Sequence, residues 1–233
     1  MKNFVLIIIA LAFIQWWFTD PTVKVQQGEL EVGYVVKNTS GASSSDTLPM
    51  LVALHGNGDT PSNFFGTALD EISVPARIIL LKAPLPYGTG YAWPSRKDKY
   101  AYYAQAVIEA IQIIQKKYPS KGHPHVLGFS GGAMMAYYLG ATQGDDFSSV
   151  VAISGYLPEE FIPKYQHHNV VPIIAFHGEQ DDVISIGSGQ RTVEWLKHYG
   201  HTTMEAFDGG HGGIFNVKKQ DISQKVDELL LIN

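Results

Sequence analysis

The sequence predicts an α/β fold in which helices flank a mostly parallel central sheet. Apolar runs of strand length alternate with longer helix-like runs along the chain, an order typical of parallel sheets. A glycine-rich turn, residues 128–132, joins one strand-like run directly to a helix-like run. Hydrophobic residues make up 45% of the 233 residues and charged residues 17%, which is enough for one domain with a sizeable core.

Apolar patterning places the elements along the chain. Strands are predicted near residues 24–37, 49–54, 77–82, 124–129, 149–154, 171–177 and 202–207. The first alternates polar and apolar residues around Gln27-Gly28, which predicts an antiparallel hairpin at the sheet edge. Helices are predicted over 61–70, 98–118, 131–142, 188–199 and 216–231. In the second helix, one apolar stripe predicts a core face: Ala101, Ala104, Val107, Ile108, Ile111 and Ile114.

The N-terminus differs from the rest of the chain. Lys2 precedes an almost purely apolar stretch that, with Trp16 and Trp17, extends over residues 4–18. A spanning helix needs about 20 apolar residues, so this shorter stretch favours a signal peptide and an exported protein, periplasmic or extracellular. If the segment is retained, the tryptophans could anchor it at a membrane interface. We therefore divide the chain into residues 1–20, a signal peptide or membrane anchor, and 21–233, a single α/β domain. A buried N-terminal helix is the least favoured alternative.

The composition argues against several classes of function. The formal net charge is −5 and no basic run occurs, which argues against nucleic acid as the main partner. The absence of cysteine excludes disulfides and lipid attachment to cysteine. No His-x-x-x-His pattern is present either, so no metal site is predicted.

The segment Gly128-Phe129-Ser130-Gly131-Gly132 predicts a nucleophilic serine. A serine hydroxyl reacts poorly unless it is exposed, close to a base and beside donors for an oxyanion, and a strand–turn–helix junction supplies that geometry. The alternative is an ordinary glycine-rich turn. An acid and a histidine follow downstream, each after a strand-like run, and this order favours Ser130 as the nucleophile.

The acid is expected in the polar loop after the strand near 171–177. Asp181 and Asp182 compete there, and Asp181 is favoured because it lies four residues after His177 in a His-Gly-x-x-Asp pattern. The other aspartate is then expected only to stabilise the turn. The base is assigned to His211, which lies in a glycine-rich loop after the last predicted strand.

The loop after the strand near 49–54 predicts an oxyanion hole. Two backbone N–H groups are needed, one from Gly131 after the nucleophile and the other from this earlier loop, where Asn57 is favoured. His55 lies in the same loop, but we expect it to shape the loop, because the base follows the acid in this chain order.

These motifs together resemble the α/β-hydrolase superfamily, and within it the phospholipase/carboxylesterase branch that includes acyl-protein thioesterases and small bacterial esterases. The matching pieces are Leu54-His55-Gly56-Asn57-Gly58-Asp59, Gly128-Phe129-Ser130-Gly131-Gly132, His177-Gly178-Glu179-Gln180-Asp181 and Gly210-His211, and the resemblance extends over about residues 45 to 230. Thioesterase-type members usually have glutamine after the serine, where this chain has Gly131. Specificity for protein thioesters therefore does not follow from the resemblance.

The expected activity is hydrolysis of carboxylic esters, of short to medium acyl chains, through an acyl-enzyme that needs no cofactor. The substrate would be a small-molecule or lipid ester. The same three residues could serve a lysophospholipase or a thioesterase, and a non-catalytic binding protein on a hydrolase scaffold is the alternative of another class. In the segment 83–96, Trp93 is expected to line the substrate pocket, with packing of the loop as the alternative.

Overall fold

A computed structural model describes residues 20–26, 30–161 and 169–232. Within them the strands are β1 Thr22–Lys24, β2 Glu31–Asn38, β3 Met50–Leu54, β4 Arg77–Leu81, β5 Leu85–Tyr87, β6 Gly90–Ala92, β7 His125–Phe129, β8 Ser149–Ile153, β9 Ile173–Gly178 and β10 Thr202–Phe207. The helices are α1 Pro61–Phe64, α2 Lys97–Lys117, α3 Gly131–Thr142, α4 Ile186–Leu196, α5 Ile214–Val217 and α6 Lys219–Leu231. A π-helical turn, Phe65–Leu69, continues α1, and Glu159–Phe161 form a short 3-10 turn.

The central sheet is mostly parallel, as predicted. Eight strands of the described chain form it, in the order β1-β2-β4-β3-β7-β8-β9-β10. Along this order every neighbouring pair from β4 onward is parallel, whereas the β1–β2 and β2–β4 pairs at one edge are antiparallel. The predicted edge hairpin is thus confirmed, although Gln27 and Gly28 lie outside the described residues.

Helices cover both faces of the sheet. Alternate residues of β3 point to opposite layers: Met50 packs in one hydrophobic cluster with residues of α2, α3 and α4, and Leu51 packs in a second cluster with residues of α1 and α6. Because both faces are buried, the central strands are continuous apolar runs with no polar alternation. This explains why runs such as Met50–Leu54 were recognisable in the sequence.

The structure differs from the predicted elements in four places. The helix expected over 61–70 changes after one turn to the π-helical turn, and the helix expected over 216–231 is interrupted at Lys218. The hairpin of β5 and β6 was not predicted. Ala101, expected in the core, is exposed, because the first turn of α2 instead buries Tyr100 against Tyr138 and Phe161.

The strand order determines where a site can form. From β3 the chain moves to β4 on one side, whereas β7 pairs with β3 on the other side. Loops that leave β3 and β7 therefore diverge at this point of the sheet, which is where open parallel sheets form a crevice at the carboxyl ends of their strands. The loop after β3 contains Asn57, and the turn after β7 contains Ser130.

The N-terminal segment predicted to direct export or anchoring, residues 4–18, lies outside the described residues. Among the helices that are described, none combines the length and the apolar character needed to cross a membrane.

Candidate active site

Ser130 occupies a sharp turn between β7 and α3. Its backbone has φ 54° and ψ −118°, which only a few non-glycine residues adopt. Its N–H donates to the carbonyl oxygen of Ile153 at 2.9 Å. A side chain at Gly128 would overlap the carbonyl of Gly132, and one at Gly132 would overlap the carbonyl of Leu54. The two glycines therefore allow the main chain to pack closely around the half-buried Ser130.

Three side chains predicted from the sequence meet at this turn. Ser130 Oγ lies 2.9 Å from Nε2 of His211, and Nδ1 of His211 lies 2.7 Å from Oδ2 of Asp181. A carboxylate can only accept, so Nδ1 carries the proton and donates to Asp181. Nε2 is then the acceptor for the Ser130 hydroxyl. The side chain of Asp181 is fully buried and that of His211 is 16% exposed, which leaves the histidine within reach of a ligand.

The structure distinguishes the two aspartates of the loop after β9. Asp181 contacts His211, and its Oδ1 also accepts the N–H groups of Val183 at 3.0 Å and Ile184 at 2.8 Å. Asp182 is exposed. One carboxylate, that of Asp181, thus both stabilises its own turn and orients the histidine. The expected division, with Asp181 as the acid and Asp182 as the stabiliser of the turn, therefore does not hold for Asp182.

Two further residues support this network and were missed as functional residues. His177 is buried; its Nε2 donates to the carbonyl of Ile184 at 2.8 Å and lies 3.3 Å from Oδ2 of Asp181. Ser154 Oγ donates to the carbonyl of His211 at 3.1 Å. Both residues lie at the carboxyl ends of parallel strands, β9 and β8, and that position is the signal that could have identified them.

The residues that carry the predicted oxyanion donors lie close together: Gly131 follows Ser130, and the side chain of Asn57 lies against Gly131. The N–H groups of Asn57 and Gly131 donate to no other described residue. The loop that carries Asn57 is held by the N–H of Gly58, which donates to the carbonyl of Tyr91 at 2.9 Å. Two unpaired amides beside a serine hydroxyl form a place where a negatively charged oxygen could be stabilised.

His55 and Trp93 hold the same loop from inside the protein. His55 donates from Nδ1 to the carbonyl of Gly56 at 2.7 Å and accepts the N–H of Ala83 at Nε2 at 3.2 Å. Burial lowers its pKa, which favours this neutral form. The Trp93 indole donates to the carbonyl of His55 at 2.7 Å and is only 2% exposed. Trp93 therefore fits the packing alternative better than the expected pocket wall.

Aromatic side chains border the histidine on one side. The ring centroid of Phe129 lies 5.1 Å from that of His211 and 4.9 Å from that of Phe215. Phe129, itself packed against Phe215, therefore limits the space on this side of the imidazole.

Away from the Ser130 turn, the described residues form a cavity but no metal cluster. Within them, no group of three or more His, Asp or Glu side chains is arranged to hold a metal ion. A cavity of about 430 Å³ opens between the segment after β8 and helix α4, lined among others by Glu159, Arg191 and Thr192. Neither Ser130, Asp181 nor His211 lines this cavity.

Comparison with known proteins identifies relatives of this chain and of its fold. The sequence profile of the family described as Phospholipase/Carboxylesterase matches residues 94–230. A segment of 79 residues is 32% identical to acyl-protein thioesterase 1 of Neurospora crassa. That match spans 32% of this chain and 32% of the thioesterase, about a third of its length.

Solved structures extend the similarity over most of the chain. The Bacillus cereus carboxylesterase is 14% identical with a TM-score of 0.70, over 87% of this chain and 95% of that chain. Zea mays acyl-protein thioesterase 2 is 21% identical with a TM-score of 0.63, over 84% and 98%. At such identities the likeness shows the fold alone. These structures confirm the expected α/β-hydrolase fold, and the match of the family profile over residues 94–230 confirms the expected family.

Proposed function

Because this chain belongs to the phospholipase/carboxylesterase family, we propose that it is a serine hydrolase that cleaves carboxylic esters of short to medium acyl chains through an acyl-enzyme. The proposal rests above all on the unbroken line of contacts from Ser130 through His211 to Asp181, with distances of 2.9 and 2.7 Å. Two unpaired amides lie beside it. This arrangement contains each group that acyl transfer to a serine requires.

The first half of the reaction forms the acyl-enzyme. His211 accepts the Ser130 proton at Nε2 while Oγ attacks the ester carbonyl, and Asp181 stabilises the imidazolium that results. The carbonyl oxygen becomes an oxyanion and accepts the N–H groups of Asn57 and Gly131. By analogy with known oxyanion holes, each donor lowers the barrier by about 3 kcal/mol. Collapse breaks the bond to the alcohol oxygen, which takes the proton from Nε2.

The second half returns the enzyme to its starting state. A water molecule gives a proton to His211 Nε2 and attacks the acyl carbon, through a second oxyanion at the same amides. Collapse breaks the bond to Ser130 Oγ, which regains its proton, and releases the acid.

The identity of the ester is the finer part of the proposal. A thioester or a lysophospholipid could be cleaved by the same three residues, and acyl-protein thioesterases are among the relatives. We place the substrate against the β5–β6 hairpin, because Tyr87 is 61% exposed and its ring lies next to Gly58 in the oxyanion loop.

The test is an assay of chromogenic esters from acetate to dodecanoate, with protein that lacks residues 1–20. We expect that the parent turns over esters and that Ser130→Ala does not. The turnover should fall about 10⁴-fold in Asp181→Asn and survive in Asp182→Asn. Asp182→Asn is the matched control, because its carboxylate is exposed and one residue away. Folded parent protein that turns over none of the esters would exclude a general esterase and favour a binding protein on this scaffold.

We further propose that residues 4–18 direct export, on the basis of their apolar sequence after Lys2. Expression of the full chain followed by cell fractionation and N-terminal sequencing tests this proposal. A cleaved product outside the cytoplasm is expected, and an uncleaved chain in the membrane fraction would indicate an anchor. An uncleaved chain in the cytoplasm would contradict both.

A further inference from the structure

The side chain of Asn57 occupies the space that a side chain at position 131 would need. Gly131 follows Ser130 and has no side chain of its own. A Cβ at Gly131 would overlap Oδ1 of Asn57 and would lie 2.7 Å from its Cγ and 2.9 Å from its Nδ2. These three atoms are the nearest ones to that position. The Asn57 carboxamide therefore lies directly over the residue whose N–H is the proposed oxyanion donor.

The orientation of this carboxamide is determined by a backbone group. The N–H of Trp93 donates to Oδ1 of Asn57 at 2.8 Å. Only the carbonyl end of an asparagine can accept such a bond, so this contact assigns Oδ1 and Nδ2. Trp93 is itself held by its indole, which donates to the carbonyl of His55 at 2.7 Å. The carboxamide thus has a fixed direction although Asn57 is exposed.

The other end of the carboxamide is available to a ligand. Nδ2 carries two N–H groups, and among the described residues neither has a hydrogen-bond partner. They lie beside Gly131 and on the same loop as the backbone N–H of Asn57. A donor held in place and not satisfied by protein is the kind of group that stabilises charge as it develops on a substrate oxygen.

We infer that the Asn57 carboxamide is a third hydrogen-bond donor to the substrate carbonyl oxygen, placed there by the missing side chain at Gly131 and by the Trp93 N–H. This inference rests on the proposed ester hydrolysis. It requires two things that can be measured separately: Asn57 and residue 131 compete for one space, and Nδ2 contributes to the rate.

Shared space is tested by a double-mutant cycle of Asn57→Ala and Gly131→Ala. Gly131 does not have positive φ and begins helix α3, so alanine suits its backbone. In the parent, Gly131→Ala should lower the melting temperature, because the new Cβ displaces Asn57. In Asn57→Ala the same substitution should leave the melting temperature unchanged or raise it. If Gly131→Ala lowers the melting temperature equally in both backgrounds, the two residues do not compete for one space, and the inference is overturned.

The donor role is tested by kinetics on the ester that the parent cleaves best. Asn57→Ala should lower kcat about 100-fold with KM within about threefold, because a donor to the oxyanion acts in the transition state. Asn57→Asp keeps the acceptor for the Trp93 N–H but replaces both donors with a carboxylate that repels the oxyanion, so its kcat should fall further than that of Asn57→Ala. A purely structural role of Asn57 would instead lower the melting temperature of Asn57→Ala and leave its kcat within about threefold of the parent.

The outcomes are separable from those of the proposed function. Loss of kcat in both Asn57 variants, together with the coupled melting temperatures, supports the inference. Asn57→Ala with kcat within threefold of the parent overturns the donor role, even if Ser130→Ala is inactive and the enzyme is an esterase. A parent that cleaves no ester overturns the proposed function and the donor role together, whereas the melting-temperature cycle still decides whether the two residues share one space.

Discussion

The strained backbone at Ser130 predicts that Ser130→Gly is more stable than Ser130→Ala. Ser130 has φ 54° and ψ −118°, a region that glycine adopts without steric cost and alanine does not. Ser130→Ala and Ser130→Gly lose the same hydroxyl and the same contact with His211, at 2.9 Å. The difference in stability between the two variants therefore reports mainly on the backbone.

The size of the difference follows from two opposing contributions. A non-glycine residue in such a conformation costs on the order of 1–3 kcal/mol in the folded state. Glycine in turn makes the unfolded chain more flexible, which costs up to about 1 kcal/mol. The free energy of unfolding of Ser130→Gly should therefore be about 1 kcal/mol higher than that of Ser130→Ala, so the glycine variant is the more stable one. With a urea m-value of about 3 kcal/mol/M, its midpoint lies about 0.3 M higher.

Urea unfolding followed by circular dichroism measures this difference. Ser62 provides the matched control: it is exposed in helix α1 and has no positive φ, so alanine there should be the more stable variant by about 1 kcal/mol. If Ser130→Gly is no more stable than Ser130→Ala while the Ser62 pair behaves as expected, the turn stores no strain. The fold would then hold Ser130 at its positive φ without a cost in stability.

Three other residues carry predictions. His177→Phe removes the donor to the Ile184 carbonyl, so kcat should fall about 10-fold and the free energy of unfolding by about 1–3 kcal/mol. His177→Gln can still donate and should retain most of the activity and stability. Equal losses in both variants would contradict this role of His177. Arg77 is fully buried and donates at 3.0 Å to the carbonyls of Ser44 and Asp46. Arg77→Met should therefore lower the free energy of unfolding, measured with urea, by about 3 kcal/mol. A loss under about 1 kcal/mol would show that these carbonyls find other partners. Burial lowers the pKa of His125 from 6.5 to about 4, so the unfolded chain takes up the proton first and the free energy of unfolding should decrease between about pH 6.5 and pH 4, by up to about 3 kcal/mol. In His125→Asn this part of the pH dependence should be absent, and an unchanged slope would count against it.

The predictable part of the fold is the part in which burial on both faces forces a continuous apolar run. Segments such as Met50–Leu54 and Arg77–Leu81 are of this kind. The β5–β6 hairpin has three residues per strand and is held by loop contacts, including the N–H of Tyr91 donating to the carbonyl of Asp59 at 3.0 Å. Such contacts leave no periodic pattern in the sequence, so the segment was expected only as a loop.

The predictable part of the site is the part that depends on motif spacing and strand order. Ser130, Asp181 and His211 each follow a strand, and the carboxyl ends of parallel strands meet at one edge of the sheet. The side-chain directions of Trp93 and His177 could not be found in this way. Trp93 points inward to the carbonyl of His55, and His177 reaches a loop carbonyl seven residues ahead. Both are consequences of tertiary packing.

Close main-chain packing gives the site its dimensions. A side chain at Gly132 would overlap the carbonyl of Leu54, so the turn of Ser130 lies directly against the end of the strand that leads to Asn57. The separation between nucleophile and oxyanion donors is thus set by backbone contacts between β3 and β7. Substitution of Gly132 should therefore lower stability and activity together. The exposed ring of Tyr87 lies outside this packing, so changes there should alter the choice of ester and leave the fold intact.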